Sequence, residues 1–312
     1  TGSAVINTSG NAFVGNTETL QELIDKTPVD GTLILPRNFR EQESVTVTKN
    51  ITIDFDGHTI EGSGANTGQL FLIEGGQVTF RGNGVLTQKP VSNAYYVIVN
   101  VQGNSEFTVD GIEVSGQNQR GFLIEDSALH FASGSMHDCG AANTAGGAVV
   151  AIAGNITISG GRFYDNRSNQ GAVIRALQQS QIRITAGTFE NNQAGNGDHF
   201  TYGGAVYTEG GLQIGGAPKF VNNTAGFGGA VYVLGEAVIE GGEFSGNTAY
   251  QMGGAIHGQN LTLKGSANIH DNQACWGGGV VAGCIGPQGA STTYMNSPGN
   301  LYLSGNAQIS GN

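Results

Sequence analysis

Three near-identical octapeptides decide how this chain folds: GGAVYTEG at 203–210, GGAVYVLG at 228–235 and GGAIHGQN at 253–260. They begin 25 residues apart. Self-similarity at a period of roughly 20–50 residues is the signature of a solenoid, in which each repeat stacks on its neighbour. The phrase is therefore either a ligand site used several times or the means by which one turn packs on the next.

A wider frame surrounds these octapeptides. Two apolar residues two positions apart are followed, five or six residues later, by an apolar anchor, as in ITISGGRF (156–163), IRITAGTF (182–189) and LQIGGAPKF (212–220). The frame extends from residue 51 to the end of the sequence, mostly in steps of 22 to 30 residues. Such alternation is typical of short strands with one buried face. It predicts an all-β, right-handed parallel β-helix (β-solenoid) of about ten turns, with three strands in each turn.

The sequence indicates one domain, residues 1–312. Residues 17–50 are predicted to form an N-terminal cap and the first strands, with a short capping helix in TETLQELIDK (17–26) that starts from Thr17 as N-cap. Residues 51–312 are the repeat turns, interrupted by insertions at 195–202 and 284–300. The last thirteen letters, NLYLSGNAQISGN, stop inside a repeat, so we expect this sequence to be a fragment of a longer protein.

Composition agrees with this fold and excludes several partners. The chain has 53 glycines and only 12% charged residues, as expected where stacked identical positions would place like charges over one another. Its formal net charge is −11, and no cluster of Lys or Arg could follow a nucleic-acid backbone, so we expect no nucleic-acid partner. No apolar run approaches the roughly 20 residues of a membrane span, so we expect no membrane insertion by this segment.

Two rows of residues recur within the frame. Phenylalanine occupies the anchor position at 163, 189, 220 and 244, and asparagine follows three residues later at 166, 192, 223 and 247, with another at 272. The phenylalanine row is predicted to stack in the core. The asparagine row is predicted either to form an internal ladder of side-chain amides or to occupy left-handed corners. Cys139 stands where the row would have asparagine, which favours packing over a ligand-binding role.

The pairing of Gly-Gly-Ala-aliphatic with Phe-x-x-Asn resembles the repeats of chlamydial polymorphic outer membrane proteins and related β-helical bacterial surface adhesins. The resemblance covers about residues 136–282. It implies a right-handed parallel β-helix that is exported to the bacterial cell surface and used for attachment. It carries over no catalytic residues. We therefore expect an extracellular adhesin domain that binds a host extracellular-matrix protein or a glycan without catalysis.

The candidate contact surface comprises one row and two loops. If Val206, Val231 and Ile256 point inward, their successors point outward in a single row that could contact a sugar or protein. The insertions add polar and aromatic side chains at the corners of the solenoid, where binding loops often lie. The candidate binding residues are Tyr207, Tyr232 and His257 in the row, Asp198, His199, Phe200 and Tyr202 in the first insertion, and Thr293, Tyr294 and Asn296 in the second.

The three cysteines permit one bridge. Cys275 and Cys284 lie nine residues apart and could form a disulfide in an oxidising compartment; otherwise they and Cys139 are small buried residues. The six histidines show no metal-ligand spacing. We therefore expect neither a metal nor a cofactor.

Parallel β-helices also include polysaccharide-degrading enzymes, and this remains the main alternative, with a structural spacer stalk as the second. Acid–base hydrolysis requires paired carboxylates, for which Asp54 and Asp56 are candidates. A second candidate is a group of arginines with Asp165 and Glu190 close in register: Arg162, Arg167, Arg175 and Arg183. Ice binding would require rows of outward threonines, and the sequence suggests that no such row continues beyond TVTKNIT at 46–52.

Overall fold

The structure of this chain is a computed structural model. It describes residues 18–64, 68–91, 96–196, 200–285 and 295–312, together with two short strands at Ala4–Ile6 and Ala12–Val14. For residues 4–6, 12–14, 284–285 and 295–298 it describes the backbone only. The two N-terminal strands pair antiparallel with each other.

The described residues form a parallel β-solenoid of about nine turns, which confirms the predicted fold class and comes close to the ten turns expected. Its strands stack in columns, and the chain passes through the columns in the same order in every turn. The first column contains the paired apolar residues and consists of Gly31–Ile34, Ile51–Asp54, Gln77–Arg81, Glu106–Ser115, Ala128–His137, Asn155–Ile158, Gln181–Ile184, Gly211–Ile214, Val231–Ile239, Ile256–Leu263 and Asn300–Leu303.

The second column contains the apolar anchors, and two of the long strands, Glu106–Ser115 and Ala128–His137, continue into it. Its other strands are Phe39–Glu41, Thr59–Gly62, Val85–Gln88, Arg162–Tyr164, Thr188–Glu190, Lys219–Val221, Glu243–Ser245, Asn268–His270 and Gln308–Ser310.

A short third column was not predicted. Within the part of the chain that the structure describes, it begins at residue 167 and consists of Arg167–Ser168, Gln193–Ala194, Thr224–Phe227, Thr248–Met252 and Gln273–Trp276. These strands precede the glycine pairs, so the later turns have four strands where three were expected.

The fourth column follows the glycine pairs and leads into the first column of the next turn. Its strands are Val45–Val47, Gln69–Glu74, Val97–Gln102, Arg120–Glu125, Val149–Ile152, Ile174–Leu177, Val206–Thr208 and Val280–Ile285, with the leading halves of Val231–Ile239 and Ile256–Leu263. Met295–Pro298 pairs antiparallel with Val280–Ile285.

The glycine pairs are explained by packing between turns. The first glycine of a pair has a positive φ, as at Gly203 (φ 63°), a conformation that glycine adopts without strain. The second lies against the next pair: a Cβ at Gly204 would be 2.1 Å from the carbonyl oxygen of Gly229. A Cβ at Gly229 would be equally close to Gly254. The repeated Gly-Gly sequence is therefore explained by the close packing of successive turns.

The asparagine row forms an internal ladder of amides. Each Nδ2 donates to the Oδ1 of the asparagine in the next turn, at 3.0 Å from Asn166 to Asn192 and at 3.0 Å from Asn192 to Asn223. The same Oδ1 also accepts the backbone N–H of the preceding asparagine. The ladder continues through 247 and 272 to Asn312. The asparagines therefore form the predicted amide ladder and do not occupy left-handed corners. The left-handed conformation belongs to the residue before each asparagine, such as Asp165 (φ 54°).

The phenylalanine row stacks in the core as predicted. Adjacent rings lie nearly parallel, with centroids 4.9 Å apart from Phe163 to Phe189, 4.6 Å from Phe189 to Phe220 and 4.6 Å from Phe220 to Phe244. All four side chains are fully buried. Each ring therefore contributes apolar burial together with ring–ring contact to the same continuous core.

The N-terminal cap is the helix Leu20–Lys26. Its N-cap is Thr19, which forms a capping box with Glu22; the predicted N-cap, Thr17, lies outside the described residues. Leu20 and Ile24 are buried against the core. Gln21 hydrogen-bonds both the N–H and the carbonyl of Thr46, at 2.8 and 3.0 Å. The helix thus satisfies backbone groups at the exposed edge of the first strand of the fourth column.

Replacing Asn223 by alanine should lower the free energy of unfolding by about 3 kcal/mol, because two buried donors of Asn192 and the carbonyl of Phe189 lose their partners. Urea denaturation monitored by circular dichroism would measure the loss. Asn155→Ala is the matched control, since this side chain is exposed and outside the ladder. Equal midpoints for the two variants would contradict a stabilising role for the amide ladder.

Candidate functional site

The predicted aromatic row exists but is not a free surface. Tyr207, Tyr232 and His257 align in consecutive turns of the fourth column, on the opposite side of the strand from the main core. Their exposed fractions are only 6%, 3% and 2%. The expectation that they form an open contact row is therefore wrong.

The unpredicted third column covers the row. The residue immediately before each glycine pair points toward the same corner, and these residues also align from turn to turn: Tyr202, Phe227, Met252 and Trp276. The ring of Tyr202 lies 4.8 Å from that of Tyr232 and 5.5 Å from that of Phe227. Tyr207 and Tyr232 are parallel, 5.8 Å apart. We call Tyr202, Tyr207, Phe227 and Tyr232 the aromatic corner.

Burial governs the chemistry of the corner. Loss of solvent raises the pKa of the Tyr207 phenol, and Glu209, which accepts its hydroxyl hydrogen bond at 3.3 Å, raises that pKa further. Burial likewise raises the pKa of Tyr232 and Tyr202. Nε2 of His257 donates to the carbonyl oxygen of Gly283 at 3.0 Å. The three tyrosines therefore keep their hydroxyl protons more strongly than exposed tyrosines do.

The layer next to the aromatic corner is polar. Arg175 occupies the register position of Tyr207, and Gln170 occupies that of Tyr202, one turn earlier. Both side chains are half-buried, and Arg175 Nε donates to Gln170 Oε1 at 2.9 Å. The corner therefore changes from arginine and glutamine to tyrosines between two adjacent turns.

The first insertion is described in part. Asp198 and His199 lie outside the described residues, so their roles as binding residues stay predictions. Phe200 is 61% exposed, which is unusual for phenylalanine in this chain. Tyr202, by contrast, belongs to the aromatic corner and is half-buried. The insertion thus leads from an exposed aromatic ring into a packed one.

The side chains of the candidate binding residues in the second insertion lie outside the described part of the structure. Thr293 and Tyr294 lie outside the described residues, and Asn296 lies in Met295–Pro298, of which only the backbone is described. Cys275 is an exposed free thiol whose Sγ lies 3.2 Å from the carbonyl oxygen of Tyr250. The bridge from Cys275 to Cys284 is therefore not formed in this structure.

The four arginines considered for catalysis are not brought together. Arg162, Arg167, Arg175 and Arg183 lie in the second, third, fourth and first columns, respectively. Arg162 forms an ion pair with Glu190, and Arg183 donates to Gln213. Register along the sequence suggested a cluster, but consecutive columns face different directions.

The paired carboxylates near the cap are also engaged. Asp54 Oδ2 pairs with Arg81 at 2.9 Å, and its Oδ1 accepts the backbone N–H of Asp56. Asp56 lies in the turn after the strand at a positive φ of 44°. Asp56 therefore lies outside the strand that ends at Asp54, and the two carboxylates do not share one strand face. Among the residues whose side chains are described, no group of three or more His, Cys, Asp or Glu is arranged to hold a metal ion.

An outward threonine row extends further than the sequence suggested. Thr32, Thr52, Thr79 and Thr108 align in consecutive turns of the first column, after which His130 interrupts the row. The neighbouring outward positions hold the Asp54–Arg81 ion pair. The row is thus a single column of threonine hydroxyls beside charged groups. In the described part of the solenoid, it lacks the second parallel threonine column that a flat ice-binding face would need.

A polar groove follows the corner between the fourth and first columns. Its lining includes Asn104, Glu106, Asp126 and Asn155. Serines support this corner from within: Ser127 Oγ accepts the N–H of Ser105 at 3.1 Å, and Ser180 Oγ accepts that of Gly154 at 3.1 Å. The groove offers acceptors for hydroxyl groups but no aromatic or basic side chain among its lining residues.

The sequence contains a signal for the covered corner. A large side chain precedes each of the later glycine pairs, in YGGA, FGGA, MGGA and WGGG. In YGGA, FGGA and MGGA the large residue stands three positions before the buried alanine, and it recurs with the same spacing as the glycine pairs. A recurrent large apolar residue beside a sharp turn indicates contact with the outward side chains of the following strand.

The chain matches no protein-family model, no curated protein and no solved structure. Within the described residues, no helix has the length and apolar character needed to cross a membrane.

Replacing Tyr232 by alanine should lower the free energy of unfolding by about 3 kcal/mol, because a large buried side chain leaves a cavity. Thermal and urea unfolding would measure this loss. Tyr302→Ala is the matched control: its side chain is 64% exposed, so a change within about 0.5 kcal/mol is expected. A Tyr232→Ala variant as stable as that control would show that the aromatic corner is open.

Stability should fall as the pH rises above about 10, the pKa of tyrosine in an unfolded chain. The buried phenols have raised pKa values, so the folded state holds protons that the unfolded state has released, and unfolding becomes easier. Below that pH the contribution is fully present. Urea midpoints at pH about 9 and about 11 would measure the change. Tyr232→Phe should show a smaller loss; an equal loss would assign the effect to other groups.

Proposed function

We propose that this chain is the binding domain of a bacterial cell-surface adhesin, which attaches to a host or neighbour-cell glycan or protein without catalysis. The observation that carries the proposal is the first insertion, where Phe200 is 61% exposed and precedes Tyr202 of the aromatic corner by two residues. Aromatic rings next to polar groups on a stable scaffold are suited to recognising sugars and proteins.

The scaffold supports this role. The main core is continuous from the cap helix to the last turns, and the amide ladder holds the corners in register. A solenoid of this kind presents corner loops on a surface that changes little on binding. The Gly-Gly-Ala and Phe-x-x-Asn repeats, through their resemblance to bacterial surface adhesins, support the extracellular location.

The charged residues favour binding over catalysis. The arginines lie on separate columns, and Asp54, Arg162 and Glu190 are all engaged in ion pairs. Hydrolysis by two carboxylates requires both groups to flank one scissile bond. None of the residues considered for the enzyme alternative is arranged in this way.

The proposal predicts saturable binding of the purified chain to an array of glycans and extracellular-matrix proteins. Phe200→Ala should weaken that binding by about tenfold while leaving the fold intact, because an exposed ring contributes to contact and little to stability. Surface plasmon resonance on the strongest array hit would measure the change.

Tyr302→Ala supplies the control, since it removes an equally exposed aromatic ring at a different place on the solenoid. Equal losses in the two variants would reject the first insertion as the site. Binding to nothing on the array would favour the spacer stalk, and release of shortened products from a polysaccharide would favour the enzyme.

A further inference from the structure

We infer that Arg175 is the centre of a binding site for a sugar that carries one carboxylate, located where the polar layer meets the aromatic corner. This inference rests on the proposed binding function and names the class of ligand that the same corner accepts.

The guanidinium of Arg175 is held in one orientation, but within the described part of the chain only its Nε forms a hydrogen bond. Its Nε donates to Gln170 Oε1 at 2.9 Å, which fixes the plane of the group. Among the described residues, no hydrogen bond or ion pair reaches its two terminal nitrogens. The edge formed by Nη1 and Nη2 is the one that binds a carboxylate through two parallel hydrogen bonds. Arg175 is therefore prepared for a planar anionic partner.

Arg175 is half-buried, whereas Arg167 and Arg183, which also form no ion pair with a described carboxylate, are exposed. The sequence has 24 Asp and Glu against 13 Lys and Arg. Arg40, Arg81 and Arg162 each form an ion pair with a carboxylate of an adjacent turn. Arg175 has acidic residues available in the same chain, yet no ion pair forms with any described carboxylate. A half-buried arginine in this state is more consistent with a ligand site than with a stabilising surface pair.

The surroundings of Arg175 strengthen its attraction for an anion. On one side the side chain lies over Gly146, where an added Cβ would be 3.6 Å from the Cβ and Cδ of Arg175. On the other side is the buried ring of Tyr207, in register one turn later. Leu177 packs against the same aromatic cluster. These apolar walls reduce solvent screening, so an ion pair with a ligand is stronger here than on an open surface.

The neighbouring groups fit a sugar better than a peptide. Tyr202, in register with Gln170 one turn later, offers a half-buried aromatic face against which a sugar ring can lie, and exposed Phe200 precedes it by two residues. Exposed Glu209 accepts the hydroxyl of Tyr207 through Oε1 and the N–H of Gln178 through Oε2, and each carboxylate oxygen has a further lone pair for ligand hydroxyls. The combination provides one anion-binding edge, ring surfaces and a hydroxyl acceptor.

The charge balance limits the ligand to one carboxylate at the site. Only one arginine lies in the polar layer, and Glu209 would repel a second ligand carboxylate placed beside it. The formal net charge of −11 also disfavours long polyanions. A single acidic sugar at the end of an otherwise neutral glycan satisfies both limits, because charges beyond about 8 Å are largely screened at physiological salt.

The test compares probes that differ only at the carboxylate: glucuronic acid, its methyl ester and glucose. Saturation-transfer nuclear magnetic resonance on the intact chain would detect binding and give relative affinities. Glucuronic acid should bind at least about tenfold more tightly than the ester or glucose, as expected for loss of a charge-assisted pair. Two short peptides that differ by one Glu-to-Gln change test the peptide alternative.

Variants of the chain locate the effect. Arg175→Gln should abolish the preference for glucuronic acid, and Arg175→Lys should restore only part of it, because lysine keeps the charge without the two-pronged edge. Gln170→Leu should weaken binding of glucuronic acid while retaining the charge. Arg183→Gln is the matched control, since it removes the same charge from an exposed position in the first column.

Each outcome decides the inference. Loss of the preference in Arg175→Gln but not in Arg183→Gln supports it. Equal binding of acid, ester and glucose would overturn it while leaving the adhesin proposal standing, as would a preference confined to the acidic peptide. If no probe binds and the array also gives no hit, both the inference and the proposed function fail.

Discussion

The strand spacing of the solenoid is the constraint on which the rest of the structure depends. Every residue lies about 4.8 Å from its counterpart in the next turn, so each position must tolerate a close copy of itself. Phenylalanine does so by ring stacking, asparagine by amide hydrogen bonds and glycine by its lack of a side chain. Charged residues meet this constraint by facing an opposite charge, as Lys219 faces Glu243 at 3.3 Å, or an uncharged polar side chain, as Arg183 faces Gln213. The low charge of the chain follows from the same constraint.

The same spacing makes a change of composition between turns informative. Within a regular column, the same residue type recurs in successive turns because contacts between identical side chains stabilise the stack. The corner of the third and fourth columns departs from this rule where Arg175 and Gln170 give way to Tyr207 and Tyr202. The side chains on the aromatic side of this boundary are packed together. On the polar side Arg175 is half-buried and, among the described residues, uses only its Nε in a hydrogen bond to Gln170. A boundary of this kind is where a repetitive scaffold can acquire a specific site.

The sequence predicted the repetitive part of the structure well. Alternating apolar residues and a fixed period are local signals, and parallel stacking turns them directly into columns, so the inward side chains, the phenylalanine stack and the amide ladder could all be anticipated. Asn312 extends the ladder beyond the predicted row because the segment from 300 to 312 returns to register over 260–272 despite the long insertion. The cap helix was also anticipated, although its N-cap is Thr19.

By itself, then, the sequence determined which side chains face the core, because alternation along a strand is a property of the chain. Only the tertiary structure decided which outward side chains meet solvent. Tyr207 and Tyr232 point outward, as alternation requires, but the turn at each glycine pair folds the third column toward them, and Tyr202 and Phe227 cover them. The separation of Arg162, Arg175 and Arg183 has the same origin: neighbours along the chain lie on different columns. Burial of an outer face depends on the angle between strands, which no local pattern of residues specifies.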